Sequence, residues 1–439
     1  MKYRDCQLMK TNEKDTHQRI VPALRFPEFQ NCGEWDMLHL NQISSRITTK
    51  VGKSQLIPVS ISAGVGFVAQ TEKFGRDISG DQYYNYIELN KGEFAYNKGN
   101  SKKYPQGCVY KLEEFDKVAA PNAFICFRFN DNVIPDFFKG YFDNNYHGRQ
   151  LQNVITSGAR SNGLLNISAD NFFNIILPTP KDKKEQQKIA DCLSSIDSLI
   201  KATEDKIALL KAHKKGLMQQ LFPAEGETTP KLRFPEFRDA GKWEIKPLSH
   251  ISKILQGYSF PEVYQGESAG KYPFYKVSDI SKAVQDGNNF ISTATNYIND
   301  EELNILKIKI IPPGTTIFAR IGEAIRLNRR VITTQKCVID NNTIGIKAIS
   351  KLATDLFIYY TLLQINLVDF AGGVVPAVTK HTIENIPIFC PPTKAEQQRI
   401  ADCLSSLDDL IMTHTNSLKN LKVHKRGLIQ KLFPNIDKY

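Results

Sequence analysis

One stretch of this 439-residue chain is written twice. Residues 185–223 begin EQQKIADCLSSIDSLI and end KGLMQQLFP; residues 396–434 begin EQQRIADCLSSLDDLI and end RGLIQKLFP, and 23 of these 39 positions are identical. That is too close for two unrelated helices, so an internal duplication sets the architecture. A second pair agrees with it: PALRFPEFQNCGEW at 22–35 and PKLRFPEFRDAGKW at 230–243. The segments between these markers, about 140 residues in each half, share only a few anchor positions. A constant frame with two divergent inserts suits one scaffold that presents two different surfaces.

The repeated stretches carry helix-start chemistry. Asp182-Lys-Lys-Glu185 and Thr393-Lys-Ala-Glu396 both read as capping boxes, in which the first side chain accepts from a first-turn amide and the glutamate reaches back. Pro178, Pro180, Pro391 and Pro392 lie just upstream, and Phe222-Pro223 and Phe433-Pro434 stop the ladder. Between these ends the apolar residues alternate four and three apart. The first copy gives Ile189, Leu193, Ile196, Ile200, Ile207 and Leu210, the second Ile400, Leu404, Leu407, Ile411, Leu418 and Leu421. This period of 3.5 is a coiled-coil seam, narrower than the stripe of a helix lying on a globule. Thr203 and His414 are its equivalent polar interruptions and suit a register role. Lys214 and Lys425 come later and read as snorkelling side chains. Gly216 and Gly427 mark either close approach of a partner helix or fraying. The simplest way to satisfy both seams is to pair them, antiparallel by pseudo-symmetry; the alternative is that each helix packs on its own domain.

The inserts read as mixed strand and short helix. Strands are expected at 92–96, 107–112 and 123–129 in the first, and at 315–321, 337–342 and 343–348 in the second. Helices are expected at 134–142 and 353–364. Basic and amide side chains cluster in the intervening loops: Lys98, Asn100, Lys102, Lys103, Arg160 and Asn162 in the first insert, and Arg320, Arg326, Asn328, Arg329, Arg330 and Lys380 in the second. Arginine pairs bidentately with guanine and asparagine with adenine, while lysine holds phosphates. Each cluster alone also suits a solvated loop. Their recurrence at similar places in both inserts, with a net charge of +11, favours a polyanionic partner.

Catalytic patterns fail one by one. Gly52-Lys-Ser54 resembles the end of a phosphate loop, but Ile47 stands where its first glycine belongs. Glu244 and Lys246 resemble part of a nuclease set, and the other copy, with Asp36 and Leu38, loses the lysine. The eight cysteines include no C-x-x-C pair and read as reduced thiols in a cytoplasm. No apolar run is long enough for a membrane span, and the polar stretch 1–20 reads as a flexible leader. The chain is expected to catalyse nothing and to carry no cofactor or metal.

With P-x-L-R-F-P-E-F leaders, divergent inserts and capped E-Q-Q-[KR]-I-A-D-C-L helices ending in L-F-P, the chain resembles the specificity subunit of a type I restriction–modification enzyme. The resemblance implies an α+β fold: two mixed α/β target recognition domains, at 21–179 and 226–390, joined by two long helices. These, at 180–225 and 391–439, would be spacer helices forming an antiparallel coiled coil with pseudo-two-fold repetition. It implies double-stranded DNA as ligand, read as a bipartite asymmetric site. It also implies two modification (methyltransferase) subunits supplying S-adenosylmethionine chemistry, and restriction (translocase/endonuclease) subunits bringing ATP and Mg.

Overall fold

The computed structural model describes residues 20–62, 64–99, 104–155 and 165–435. The expected leader, apart from Ile20, lies outside the described residues. The chain divides into two compact units, residues 1–200 with 420–439 and residues 201–419. These boundaries cut both long helices, Lys183–Leu221 and Lys394–Leu432. Each unit therefore holds one insert, the start of one long helix and the end of the other.

In the first unit the insert opens and closes on an antiparallel ribbon, β1 (Asp36–His39) with β10 (Ile176–Thr179). Inside it, β2 (Ser44–Arg46), β9 (Ile125–Phe129), β6 (Phe94–Asn97) and β7 (Cys108–Lys111) form one sheet in that order. A second sheet has the order β4 (Gly66–Ala69), β3 (Ile57–Ser62), β8 (Lys117–Ala120), β5 (Ile87–Asn90), with β3 and β8 parallel. The second unit repeats the plan. Its ribbon is β11 (Glu244–Pro247) with β20 (Pro387–Cys390). One sheet runs β12 (Ser252–Gln256), β19 (Thr343–Ala348), β16 (Thr316–Ala319), β17 (Arg330–Thr333), β14 (Phe290–Ile291). The other runs β15 (Tyr297–Ile298), β13 (Tyr272–Tyr275), β18 (Val338–Ile339), with β13 and β18 parallel. The expected strands fall on β6, β7, β9, β16, β18 and β19. They are short apolar runs because both faces are covered; β16 is buried at every position. The two expected short helices are Pro135–Asp143 and Asp355–Leu363. Proline opens the first, and the Thr354 hydroxyl caps the second by accepting from the Phe357 amide at 3.2 Å.

The long helices are held at their starts by a buried latch, made twice. Arg25 donates to both carboxylate oxygens of Glu185 at 2.7 Å, and the Trp35 indole donates to the same group at 3.2 Å. Arg233, Glu396 and Trp243 repeat this at 2.7, 2.8 and 3.1 Å. The remaining guanidinium nitrogen donates to the Gly33 carbonyl in one unit and the Gly241 carbonyl in the other, both at 2.6 Å. Those glycines have φ of +75° and +89°, a turn that other residues adopt only with strain. The paired carboxylate favours the charged form of each arginine, raising both pKa values against the opposing effect of burial. So the glutamates do not complete capping boxes. The caps are one-sided: Asp182 accepts from the Lys184 amide at 2.8 Å, and Thr393 from the Glu396 amide at 3.2 Å. The glutamates are spent on the leaders instead. The next letter of the motif binds the insert: Gln186 accepts from the Ile134 amide at 2.8 Å, and Gln397 donates to the Leu352 carbonyl at 3.1 Å.

Each helix end is buried as firmly as each start. In the first unit Ile189 and Leu193 share one core with Trp35, Phe137, Ile429, Leu432 and Phe433. In the second, Ile400 and Leu404 share one with Trp243, Phe357, Leu221 and Phe222. Higher positions on one helix meet lower positions on the other, so the segments pair antiparallel within each unit. Within each unit these segments pack both on the insert and on each other. Every seam position is buried or half-buried, Thr203 and His414 included.

The seam lysines do not snorkel. Lys425 lies 2.7 Å from Asp197 and 2.9 Å from Asp143, and Lys214 lies 2.5 Å from Asp408, which also accepts from the Tyr360 hydroxyl at 2.6 Å. Burial pulls the Lys425 pKa down, but the two carboxylates outweigh it and the net shift is upward. A Cβ on Gly216 or Gly427 would meet nothing within 4 Å, and the helices continue to Leu221 and Leu432, so neither close approach nor fraying explains these glycines. Close approach is instead made by Gly140, where a Cβ would lie 2.5 Å from Leu193.

Two outcomes follow. Arg25→Ala leaves Glu185 charged and buried and should cost about 3–5 kcal/mol, while Arg25→Met with Glu185→Leu should recover much of that; urea denaturation of the two variants measures it, and equal losses would contradict the latch. In the first unit, burial, partly offset by the Gly107 backbone, pushes the His147 imidazole down to about 3. A depressed histidine binds its proton more readily when unfolded, so stability is complete above the unfolded pKa of about 6.5 and falls as pH drops towards 3. The melting temperature of His147→Leu should decline less than that of the parent between pH 7 and 5.

Candidate nucleic-acid interface

One strand end and one later backbone segment are tied together in the same way in both units. In the second unit Arg320 follows β16, its backbone carbonyl accepts from the Val378 amide at 2.9 Å, and Gly322 donates to Pro376 at 2.7 Å. The late loop before Lys380 is thereby laid beside the end of β16. In the first unit Lys98 follows β6, and its carbonyl accepts from the Leu165 amide, also at 2.9 Å. Lys98 and Arg320 stand at equivalent positions, each just after its strand. A capped turn follows each late loop: Ser168 accepts from the Asn171 amide at 3.0 Å and Thr379 from the Thr382 amide at 3.1 Å.

The side chains on this edge are of two kinds. Arg320 is half-buried and donates to the Asn341 carbonyl at 2.9 Å. Arg326 is exposed and pairs loosely with Glu323 at 2.9 Å, Arg329 is half-buried, and Lys380 lies 3.6 Å from Glu384. Leu327, Val374 and Val375 are exposed on the same loops. Arg330 and Asn328, expected among the readers, are turned inward. Arg330 is 2% exposed, lies over the Phe318 ring at 5.4 Å, and donates to the carbonyls of Asn328 and Ile365 at 3.2 and 2.8 Å. Burial pushes its pKa down to about 10. Asn328 takes a left-handed conformation (φ +49°) and donates to the same Ile365 carbonyl. These two residues fix the turn that carries Arg326 and Arg329. A pattern of residue types cannot tell a buried arginine from a presented one.

Of the first insert's candidates, Lys98 is half-buried, while Asn100, Lys102, Lys103, Arg160 and Asn162 lie outside the described residues. On β11, Glu244 and Lys246 pair with each other at 2.9 Å. Among the described residues no helix is long and apolar enough to cross a membrane.

The frame is thus a duplicated α+β scaffold that carries two divergent inserts, with Lys98 and Arg320 at corresponding strand ends. Residues 57–212 and 240–423 match the model of the type I restriction modification DNA specificity domain, and the chain belongs to that family. It is a type I specificity subunit, a recognition chain and not a catalytic one. Among its relatives, the putative type I restriction enzyme MjaX specificity subunit of Methanocaldococcus jannaschii is 25% identical, over 70% of this chain and 69% of that protein. The MjaIX specificity subunit of the same organism is 24% identical over 80% and 83%. The crystal structure of the type I restriction–modification S subunit from M. genitalium has the same fold, with a TM-score of 0.58, 15% identity, and coverage of 95% of this chain and all of that one.

The inward and outward arginines should separate experimentally. Arg330→Ala should cost several kcal/mol of stability through its lost carbonyl bonds and the cavity over Phe318. Arg326→Ala should change stability by less than ~0.5 kcal/mol and weaken DNA binding by the assembled complex by about 1–3 kcal/mol. Denaturation and binding titrations of both variants read this directly; a stability loss for Arg326→Ala alone would reverse the assignment.

Proposed function

We propose that this chain reads a bipartite, asymmetric DNA site, one half with each insert, and docks the modification subunits that act on it. The observation that carries this is the repeated tie between a strand end and a late loop, Lys98 to Leu165 and Arg320 to Val378. It places unlike side chains at equivalent positions, which is the arrangement needed to read two different half-sites with one frame. The net charge of +11 suits the phosphate backbone.

In this reading the two long helices, 39 residues and about 58 Å each at ~1.5 Å per residue, separate the readers and form an antiparallel coiled coil. They also offer the surface on which two modification subunits dock. Half-sites about one helical turn apart, ~10 bp or ~34 Å, fit within such a length. S-adenosylmethionine belongs to the modification subunits, ATP and Mg to the restriction subunits, and none to this chain, which works in the cytoplasm.

The test is to lengthen the first long helix by residues inserted in register with its seam, then map methylated adenines genome-wide by long-read sequencing. The unread gap should change while both half-sites stay the same; changed half-sites with the old gap would refute the reading. Replacing residues 244–389 with another insert should change one half-site only.

A further inference from the structure

The second unit carries an apolar feature that its own core does not use. Between the turn Leu367–Phe370 and the capped turn Lys380–Glu384 the chain makes a narrow hairpin, in which Gly372 and Ala377 exchange both backbone hydrogen bonds at 3.1 Å. Gly373 turns it with a φ of +90°. Its tip is Val374-Val375-Pro376. Val374 is fully exposed and Val375 is 61% exposed. Turn tips ordinarily take glycine, asparagine, aspartate or serine, which supply left-handed backbone or local hydrogen bonds, and valine supplies neither.

The base of the hairpin is anchored on both sides. Ala377 pairs with Gly372 on one side and with Ile321 on the other. The Gly322 amide donates to the Pro376 carbonyl at 2.7 Å, and the Val378 amide to the Arg320 carbonyl at 2.9 Å. The valines are therefore held outward from a fixed base. The same anchor sets them beside cations. Gly322 opens the turn Glu323–Leu327, which carries Arg326, an exposed arginine whose pairing is to an equally exposed Glu323. Lys380 follows the hairpin at the start of the next turn. An apolar tip beside an exposed arginine and lysine suits a polyanion that offers an apolar spot.

We propose that this hairpin enters the major groove of the half-site read by the second insert, where Val374 and Val375 recognise thymine through its C5-methyl group. Paired strands lie ~4.8 Å apart, and with its side chains a two-stranded ribbon fits the ~12 Å major groove and is too wide for the ~6 Å minor groove. Valine has no donor or acceptor with which to read the polar edges of the bases. The apolar group that the major groove displays is the thymine methyl. A wedge that unstacks bases acts from the minor groove, which the ribbon does not fit. The β-branched side chains are stiff, so little freedom is lost when they seat on a methyl group. The proposal rests on the DNA-reading assignment above and adds to it the base and the atom that one loop recognises.

The test uses the full chain assembled with its modification subunits, and duplexes that carry its mapped site. In the half-site that exchange of residues 244–389 alters, thymines are replaced by uracil one at a time; uracil pairs as thymine does and lacks only the methyl group. At one or two positions uracil should weaken binding about 3–10-fold. Val374→Ser and Val375→Ser should weaken binding to the thymine duplex by a similar factor, and uracil at the position each valine reads should then cost nothing more. Specific binding that is indifferent to uracil throughout that half-site would overturn the proposal. So would a uracil effect that persists in both serine variants, or serine variants that fail to assemble with the modification subunits, which would make the tip a protein contact. An assembled complex with no sequence preference at all would be a different failure, that of the DNA-reading assignment itself, and would take this proposal with it.

Discussion

The arginine–glutamate–tryptophan latch is the interaction on which the rest of the molecule depends. It joins three segments that are remote in sequence: a leader, the start of a long helix and, through the adjacent glutamine, the body of an insert. Both partners are almost fully buried, with side-chain exposures of 7% and 1% in each copy. A pair so placed is not a strong source of net stability, because removing two charges from water offsets most of their attraction. Its value lies in specificity. A carboxylate at that depth tolerates only a partner that brings two parallel donors and a third from an indole, so the helix can start at one place and one angle.

The latch also explains the pattern of identity between the halves. Arg25, Trp35 and Glu185 recur as Arg233, Trp243 and Glu396 because the geometry admits no substitute, and the glycine turn recurs because its carbonyl must face the guanidinium. The strands of the inserts are free to change, provided that they stay apolar and of the right length. A frame under strict geometric demand and a surface under almost none will diverge at different rates. The lysines of the long helices show the intermediate case: Lys425 finds Asp197 on the other helix and Asp143 on the insert, and Lys214 an aspartate shared with Tyr360.

Much of this was legible in the sequence, and the rest fails for identifiable reasons. The long helices, the central strands and the short helices after them were readable because period and apolar runs report burial directly. The capping boxes were half right: the spacing was real, but the glutamates answer to arginines some 160 residues away, and only the repetition of the leader pointed there. The lysines were misread because their aspartate partners lie on the other long helix or, for Asp143, on the insert, where no spacing rule reaches. Among the proposed readers, Arg330 and Asn328 turned inward because they hold the turn before β17, both donating to the Ile365 carbonyl. Composition alone could not separate them from Arg326.

The sharing of each core between the start of one helix and the end of the other has a consequence in time. The first unit's core contains Leu193 and Phe433 side by side, and Phe433 is made roughly 240 residues later. At about 5–20 residues per second, the ribosome leaves that core open for on the order of 10–50 s. The first insert must wait, with Trp35 and Phe137 uncovered, until the chain is almost finished. A slowed or stalled ribosome would expose an apolar surface that the completed protein never shows, and the burden on chaperones should fall on the half that is synthesised first.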